Sequence, residues 1–381
     1  MEPIICDISA LHYWRIPPVV QLLATAPESN LSLARVLTSN DLELLAANAA
    51  ETQAKFAKKH CGHTNEAYRT IAEVSHVLGL NNSGPFDLLC QVKGAIRESQ
   101  LVTPRLCSAA LPLGAIREIS PDLRITSPEF TLQQLAARMS FERTLLLATE
   151  LCGSFSVFHT PTPIAKVVQR LCDSHQLPQI GGWSPCLDAN HQLTDLWSRP
   201  ALTTPQNLQR FAATTESPRG RAKLARVAKY VIPGAASPFE AQAGILLGLP
   251  HRCGGAGLKG LEHNRRIGFT PDASALAGRG SCYCDLYWDE GVDLECHSAT
   301  WHSTRDGQLS DFTRQAALEL MGIDVVPLTY DQLTSQRQFD AIVRILCAKL
   351  GRPLHKGTEA QRTTTLHLRK EILGFDWIDP V

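Results

Sequence analysis

In the last third of the chain, segments with the two-residue hydrophobic period of a strand alternate with segments that have the 3.6-residue period of a helix. Cys282 to Leu294 alternates and is rich in aromatic and β-branched residues, and Asp289-Glu290-Gly291 supplies a turn between two short strands. This combination is typical of a β-hairpin. A helical pattern over 309–321, a β-run over 323–328 and a second helical pattern over 338–350 follow. Strand, strand, helix, strand and helix in this order predict an α/β or α+β domain with a mixed sheet.

The length of the chain favours more than one core, since 381 residues exceed the usual size of a single domain. The N-terminal part has mainly helical patterns, with a turn-rich stretch at 101–125 that favours strands. Seven prolines between 160 and 218 interrupt every long period there, which is typical of connecting material. We therefore predict a mainly helical domain with a few strands at 1–155, a Pro-rich connecting segment at 156–220, a mixed-sheet domain at 221–350 and a basic tail at 351–381.

Charge and cysteine content exclude few classes of protein. Lys and Arg number 37 and so do Asp and Glu, so a basic surface for nucleic acid must be local. No apolar run approaches the roughly 20 residues of a membrane helix, and Met1 to Asp7 lacks the start of a signal peptide. Twelve dispersed cysteines are then expected to be reduced thiols. These features predict a cytoplasmic protein without a membrane partner.

Acidic and histidine side chains are concentrated around the predicted hairpin. Asp285 lies on its first strand and Glu295 on its second, so a tight turn places the two carboxylates side by side. A divalent cation shared between them would be Mg²⁺ or Mn²⁺, because these ions take oxygen ligands. Such an ion polarises a phosphodiester and activates water. His297 shares the strand face of Glu295, and His302 is placed to donate a proton or to hold a phosphate oxygen.

The order of these residues resembles that of the PD-(D/E)XK nuclease superfamily, in particular the branch of very-short-patch repair endonucleases. It covers Val231 to Leu350 and consists of Ser237-Pro238-Phe239-Glu240, Cys284 to Trp288, Val292 to His302, Asp311-Phe312-Thr313-Arg314 and Gly322 to Val326. The resemblance implies a restriction-endonuclease-like mixed sheet flanked by helices, and Mg²⁺- or Mn²⁺-dependent hydrolysis of DNA. It places Glu240, Asp285 and Glu295 around the metal and makes His302 the histidine of the family. The superfamily has Lys where His297 stands, so His297 is a departure from its pattern.

The same acidic residues have simpler structural interpretations. Ser237-x-x-Glu240 is also a capping box, in which the Glu side chain reaches back to the start of its helix. Asp285 and Glu295 also fit exposed positions on strands, although their order favours the site. His302 follows a tryptophan and fits a packed histidine. The sequence leaves these alternatives open.

Two further sets of residues are assigned structural roles. Asp311 and Arg314 are three apart on a predicted helix, as in an ion pair on a helix surface, so we assign them structural support. Cys282-x-Cys284, with Cys296 nearby, suggests zinc, but structural zinc sites usually use a spacing of two to four residues. Buried free thiols are therefore the favoured interpretation.

Two basic segments flank the predicted mixed-sheet domain. The first precedes it and the second follows it. The first consists of Arg219, Arg221, Lys223, Arg226 and Lys229, and the second of Arg352, His355, Lys356, Arg362, Arg369 and Lys370. Cations of this kind bind a phosphate backbone without choosing a sequence. A solvated helix face and a basic tail explain them equally well.

The N-terminal third resembles the middle region of abortive-infection type IV antitoxins (AbiEi-like). The resemblance is carried by Ser9-Ala10-Leu11-His12, by Ile16-Pro17-Pro18 and by Arg124 to Ala136. It implies a link to a toxin or to a phage-defence system. The sequence as a whole thus predicts a DNA endonuclease. A non-catalytic, antitoxin-like regulator that binds nucleic acid through a degenerate nuclease fold is the main alternative, and a protein-interaction module is a weaker one.

Overall fold

The computed structural model describes residues 3–25, 27–60, 71, 80, 84–121, 123–297 and 305–380. For residues 57, 59, 60 and 305–311 it describes the backbone alone. The described chain is a mixed α+β structure with three sheets, in agreement with the predicted class. None of its helices is both long enough and apolar enough to cross a membrane.

A five-stranded sheet organises the N-terminal part, in the order β3-β2-β1-β5-β4. Its strands are β1 (Ile4–Ile5), β2 (Phe86–Cys90), β3 (Val102–Leu106), β4 (Ile116–Ser120) and β5 (Leu123–Thr126). The helices of this part are α1 (Asp7–Arg15), α2 (Pro18–Thr25), α3 (Leu31–Ala34), α4 (Ser39–His60), α5 (Pro128–Ala136) and α6 (Phe141–Leu151). Strand β1 is parallel to β5 and antiparallel to β2, so the sheet is mixed. Ser127 and Ser140 start α5 and α6 as N-caps.

Residues 156–220, predicted as connecting material, contain regular structure between their prolines. A three-stranded antiparallel sheet in the order β6-β8-β7 consists of β6 (Phe155–Val157), β7 (Ser184–Leu187) and β8 (Leu193–Ser198). It is accompanied by α7 (Thr162–Asp173) and α8 (Pro205–Thr214). Trp197 is fully buried in a core that this segment forms with α2. Pro163 and Pro205 lie in the first turns of the two helices, where proline is compatible with a helix.

The C-terminal part contains the predicted hairpin in a four-stranded mixed sheet, in the order β12-β11-β10-β9. Its strands are β9 (Leu261–Gly268), β10 (Ser281–Trp288), β11 (Val292–His297) and β12 (Asp324–Thr329). The helices are α9 (Arg221–Val227), α10 (Pro238–Gly248), α11 (Pro271–Ala277), α12 (Arg305–Leu320), α13 (Tyr330–Thr334), α14 (Gln336–Lys349) and α15 (Glu359–Leu373). Strands β9, β10 and β11 are antiparallel, and β12 runs parallel to β11. The hairpin and the helix–strand–helix succession after it are confirmed.

One hydrophobic core joins the N-terminal and C-terminal parts. Leu145 of α6, Leu246 of α10 and Leu294 of β11 belong to the same cluster of buried residues. A buried ion pair adds a polar link, because the Arg15 guanidinium donates to both carboxylate oxygens of Glu150 at 2.8 and 2.5 Å and to the Trp377 carbonyl at 2.6 Å. Helix α15 also packs against α6 and α10, so part of the region that the sequence predicted as a tail belongs to the body of the protein.

Candidate functional site

The predicted acidic residues lie on three elements that meet at one end of the C-terminal sheet. Leu286 of β10 pairs with Leu294 of β11, and Asp285 and Glu295 are the next residues beyond this pair on their strands. Glu240 lies in the first turn of α10. Helix α10 packs on β9 and β10. The structure thus brings a helix start to the two strands that carry the other carboxylates. The ligand oxygens of Glu240, Asp285 and Glu295 do not all lie within 4.8 Å of one another, so the predicted three do not form a tight group of ligands.

Glu240 has a structural role at the start of its helix. Its carboxylate accepts hydrogen bonds from the Ala236 amide at 2.8 Å, the Ser237 hydroxyl at 2.9 Å and the Asn264 side-chain amide at 2.6 Å. The Ser237 hydroxyl in turn accepts from the Glu240 amide, as an N-cap does. Burial raises the pKa of Glu240, and the charge of Glu295 adds to this effect. The Ser237 N-cap is therefore present, but the Glu240 carboxylate binds the Ala236 amide instead of the Ser237 amide of a capping box. The carboxylate still lies within the electrostatic range of the hairpin acids.

Glu295 is held by an arginine from α12. The Arg314 guanidinium donates to both carboxylate oxygens of Glu295, at 2.7 and 2.6 Å, and to the Tyr283 carbonyl at 3.2 Å. The side chains of Glu295 and Arg314 are only 5% and 16% exposed, so this is a largely desolvated ion pair. Arg314 supports the site, as predicted, but it does so through Glu295. The side chain of Asp311 lies outside the described residues.

Asp285 is the predicted metal ligand with the freest carboxylate. One of its oxygens accepts the Cys296 amide at 2.9 Å, and the other accepts no hydrogen bond from a described residue. Burial raises the pKa of Asp285 well above its ordinary range, and the charges of Glu295 and Glu240 raise it further. The three predicted carboxylates thus repel one another in a poorly solvated region. Because of this repulsion, an added cation would be stabilised there.

A tighter group of metal-ligand atoms lies beside this set. Atoms of Cys284, Asp293 and Glu295 are all within 4.8 Å of one another, and no other such group of three occurs in the described part of the chain. Asp293 is fully buried, and neither of its oxygens has a fixed hydrogen-bond donor. Burial raises its pKa to about 10, and the proton it then holds can be shared with Glu295. The Asp293 carboxyl is therefore expected to hold a proton at neutral pH.

The sequence interpretation did not include Cys284 and Asp293 in the site. Asp293 had a usable signal, since it precedes Glu295 by two residues and shares its strand face. Cys284 was considered only with Cys282 as a zinc ligand, and no sequence pattern joins it to Glu295. Cys284 belongs to the cluster of Leu318, whereas Leu286, two residues later, belongs to the main core. The alternation of β10 is thus interrupted at Asp285. Its neighbour on β9, Asn264, has a positive φ of 50°, which marks the same irregularity.

Of the two histidines that the sequence placed in the site, the structure describes only His297. His297 ends β11, opposite Thr329 of β12, and is half-buried. It lies two residues after Glu295, where the superfamily pattern has Lys. His302 lies outside the described residues. The predicted proton-transfer role of these side chains stays a prediction.

The first basic segment lies on and just before α9. Arg219 and Arg221 are exposed, and the Arg221 guanidinium reaches only the Thr215 carbonyl, at 3.4 Å. Lys223 donates to the Met139 carbonyl, and the Arg226 guanidinium lies 4.0 Å from the Phe141 ring centroid. None of these four predicted contact residues makes an ion pair with a described carboxylate. Their charges are therefore available for a phosphate backbone, most freely at Arg219 and Arg221.

Comparison with known proteins gives no relative for this chain. No family model matches it, and neither a curated protein nor a solved structure does so. Inference about function therefore depends on the residues and the geometry of the site.

Proposed function

We propose that the chain is an endonuclease that hydrolyses DNA phosphodiester bonds with Mg²⁺ or Mn²⁺. One observation carries the proposal: burial and the charges of Glu295 and Glu240, which lie on the partner strand and at a helix start, raise the pKa of the Asp285 carboxyl well above its ordinary range. A hard divalent cation relieves this repulsion. The order of elements that bear these residues agrees with the resemblance to the PD-(D/E)XK superfamily, which remains a proposal.

The donor set fits such an ion at Asp285 and less well at the other two residues. Asp285 offers one oxygen that accepts no hydrogen bond from a described residue, and carboxylate oxygens are the ligands that Mg²⁺ prefers. Both oxygens of Glu295 accept from Arg314, and those of Glu240 accept from the helix start and Asn264. Asp285 is thus the direct ligand, and Glu295 joins it through its remaining lone pairs. When bound, the ion would polarise the scissile phosphate and activate water.

Nicking of supercoiled plasmid tests this function. Asp285→Asn keeps an acceptor for the Cys296 amide but removes the charge that binds the ion. The matched control is Asp289→Asn, because Asp289 is an exposed acid in the turn of the same hairpin. We expect cleavage by the parent and the control with Mg²⁺ or Mn²⁺, and at least a hundredfold less by Asp285→Asn. Equal activity in all three proteins, or none in any, contradicts the proposal.

Nucleic-acid binding without cleavage is the second candidate, and the Arg314–Glu295 pair favours it. The guanidinium already supplies positive charge beside Glu295, and His297 stands where the superfamily has its catalytic Lys. A regulator of this type agrees with the AbiEi-like resemblance and with a toxin or defence-system partner, both of which remain proposals.

Fluorescence anisotropy with a DNA duplex in EDTA tests this second candidate. Replacing Arg219 and Arg221 together by Ala should weaken binding and lower the slope of log affinity against log salt by about 2. Lys93→Ala removes an exposed charge elsewhere and is the control. Binding without cleavage selects the regulator over the nuclease, and identical salt slopes in all proteins exclude this basic segment as the interface.

A further inference from the structure

A cavity of about 720 Å³ lies at the opposite end of α10 from Glu240. Leu246 of α10, the 3₁₀ turn His251–Cys253 and helices α14 and α15 form its walls. Glu240 and Leu246 are six residues apart, which is about 9 Å along a helix. The volume is in the range of sites for small organic ligands. This cavity is therefore separate from the acidic site.

The walls of the cavity carry an excess of positive charge. Four arginines line it, whereas Asp340 is its one acidic lining residue. Three of the arginines are held by protein groups, and they are Arg352, Arg362 and Arg369. The fourth, Arg344, is exposed and makes no hydrogen bond or ion pair with any described residue. Arg344 is thus a cation on the cavity wall with its donors available.

Arg369 supplies a second unpaired charge, this one buried. Its side chain lies over the Phe339 ring at 5.1 Å, and one of its nitrogens, Nη2, donates to the Leu333 and Thr334 carbonyls at 2.8 Å each. The other terminal nitrogen, Nη1, has no acceptor, although Arg369 is only 6% exposed. No carboxylate forms an ion pair with it in the described chain. A buried guanidinium without a counter-ion is costly, so an anion in the adjoining cavity would stabilise it.

The cavity also has flat and apolar surface. The rings of His251 and His355 are stacked, with centroids 4.0 Å apart and planes 16° apart. Gly257 leaves room for this pair, since a Cβ there would lie 2.9 Å from His251 Nε2. Phe339 and Leu354 add apolar lining. The cavity thus combines cations, which can bind a phosphate, with apolar and aromatic surface, which can bind an organic group. Inorganic phosphate would leave the apolar and aromatic surface without a partner.

We propose that this cavity binds an organic phosphate of about the size of a mononucleotide. Guanidinium groups bind phosphate through paired, charge-assisted hydrogen bonds, and Arg344 has its donors free for this purpose. The charge of Arg369, which has no ion pair in the described chain, adds to the attraction, whereas Arg352 and Arg362 are paired with Glu290 and Glu359. The stacked histidines and Phe339 contact the organic part. The site is independent of the proposed nuclease function, because it shares no residue with the acidic site.

Calorimetric titration of the full chain tests this site with four probes in EDTA: AMP, ATP, adenosine and inorganic phosphate. We expect AMP and ATP to bind at micromolar concentration, and adenosine and inorganic phosphate to bind at least tenfold more weakly. Arg344→Ala should reduce the affinity for AMP at least tenfold, and it leaves the fold intact because Arg344 has no partner. Arg337→Ala, an exposed arginine of the same helix outside the cavity, should bind as the parent does.

Three results would overturn the proposal. They are binding of neither nucleotide, equal binding of inorganic phosphate and AMP, and unchanged AMP affinity in Arg344→Ala. A 5′-phosphorylated oligonucleotide is a further arm, and binding of the oligonucleotide alone through Arg344 would make the cavity part of a nucleic-acid surface instead. Asp285→Asn should bind AMP normally, so that failure of the nuclease function and failure of this site are distinguishable.

Discussion

Replacing Arg314 tests most directly whether the acidic residues of the C-terminal sheet repel one another, because Arg314 pairs with Glu295 at the centre of this group. Arg314→Met keeps most of the side-chain volume and removes both hydrogen bonds to Glu295. Glu295 is only 5% exposed and lies beside Asp293 and Asp285, so its charge cannot be solvated in place. Removal of one partner of a buried ion pair costs about 3–5 kcal/mol. We expect a loss of this size in the free energy of unfolding at pH 8.

Urea unfolding, followed by circular dichroism, measures this loss in a double-mutant cycle. Glu295→Gln alone should cost less than Arg314→Met, because the Arg314 side chain is 16% exposed and can turn toward water. The combined variant removes both charges and should recover about 2 kcal/mol relative to the sum of the single losses. Arg362→Met breaks an exposed pair with Glu359 and should change little. Strictly additive losses at Arg314 and Glu295 would refute the reasoning.

Two other predictions concern the proton held by Asp293 and the glycine before α9. The folded-state pKa of Asp293 is about 10, whereas the pKa of an aspartate in the unfolded chain is about 3.9. The folded state therefore binds the proton more tightly, and this stabilises the protein fully below the unfolded pKa. The stabilisation is lost as the pH rises toward 10. Asp293→Asn should therefore raise the thermal midpoint at pH 8–9 and much less at pH 5, and a constant difference across this range would contradict the assignment. Gly220 has a φ of 76°, and a Cβ there would lie 2.0 Å from the Gln133 carbonyl oxygen, so Gly220→Ala should cost more than about 2 kcal/mol. Gly278→Ala, at a φ of 67° in open space, should cost about 1 kcal/mol, and equal losses in urea unfolding would contradict the close approach.

The predicted elements of the last third could be derived from sequence because local patterns determine them. The alternation along β10 and β11 and the turn at Gly291, with its φ of 79°, are properties of neighbouring residues. The helical start at Ser237 is equally local, since its hydroxyl and the Glu240 amide are three residues apart. Glu240, Asp285 and Glu295 therefore lie on the predicted elements.

The partners of these acids could not be predicted in the same way. Arg314 and Glu295 are 19 residues apart on different elements, and the spacing of Arg314 from Asp311 suggested a different ion pair. Cys284 joins Asp293 and Glu295 only because the alternation of β10 is interrupted at Asp285. Such an interruption depends on the neighbouring strand, where Asn264 has a positive φ. Contacts across elements thus determine the charge state of the site.

The basic residues near the C-terminus show why a charge run does not by itself identify a surface. Arg362 and Arg369 belong to one run in the sequence, yet Arg362 is exposed and Arg369 is 6% exposed with its guanidinium over Phe339. The two residues are seven apart and share one face of α15. The difference arises because the buried residues of this helix, Leu368, Arg369 and Ile372, all lie in its C-terminal half. A cation that faces inward cannot follow a phosphate backbone, but it can line a cavity. Arg369 therefore fits the proposed phosphate ligand in the cavity, which Arg344 of α14 also lines, better than an extended strand of DNA.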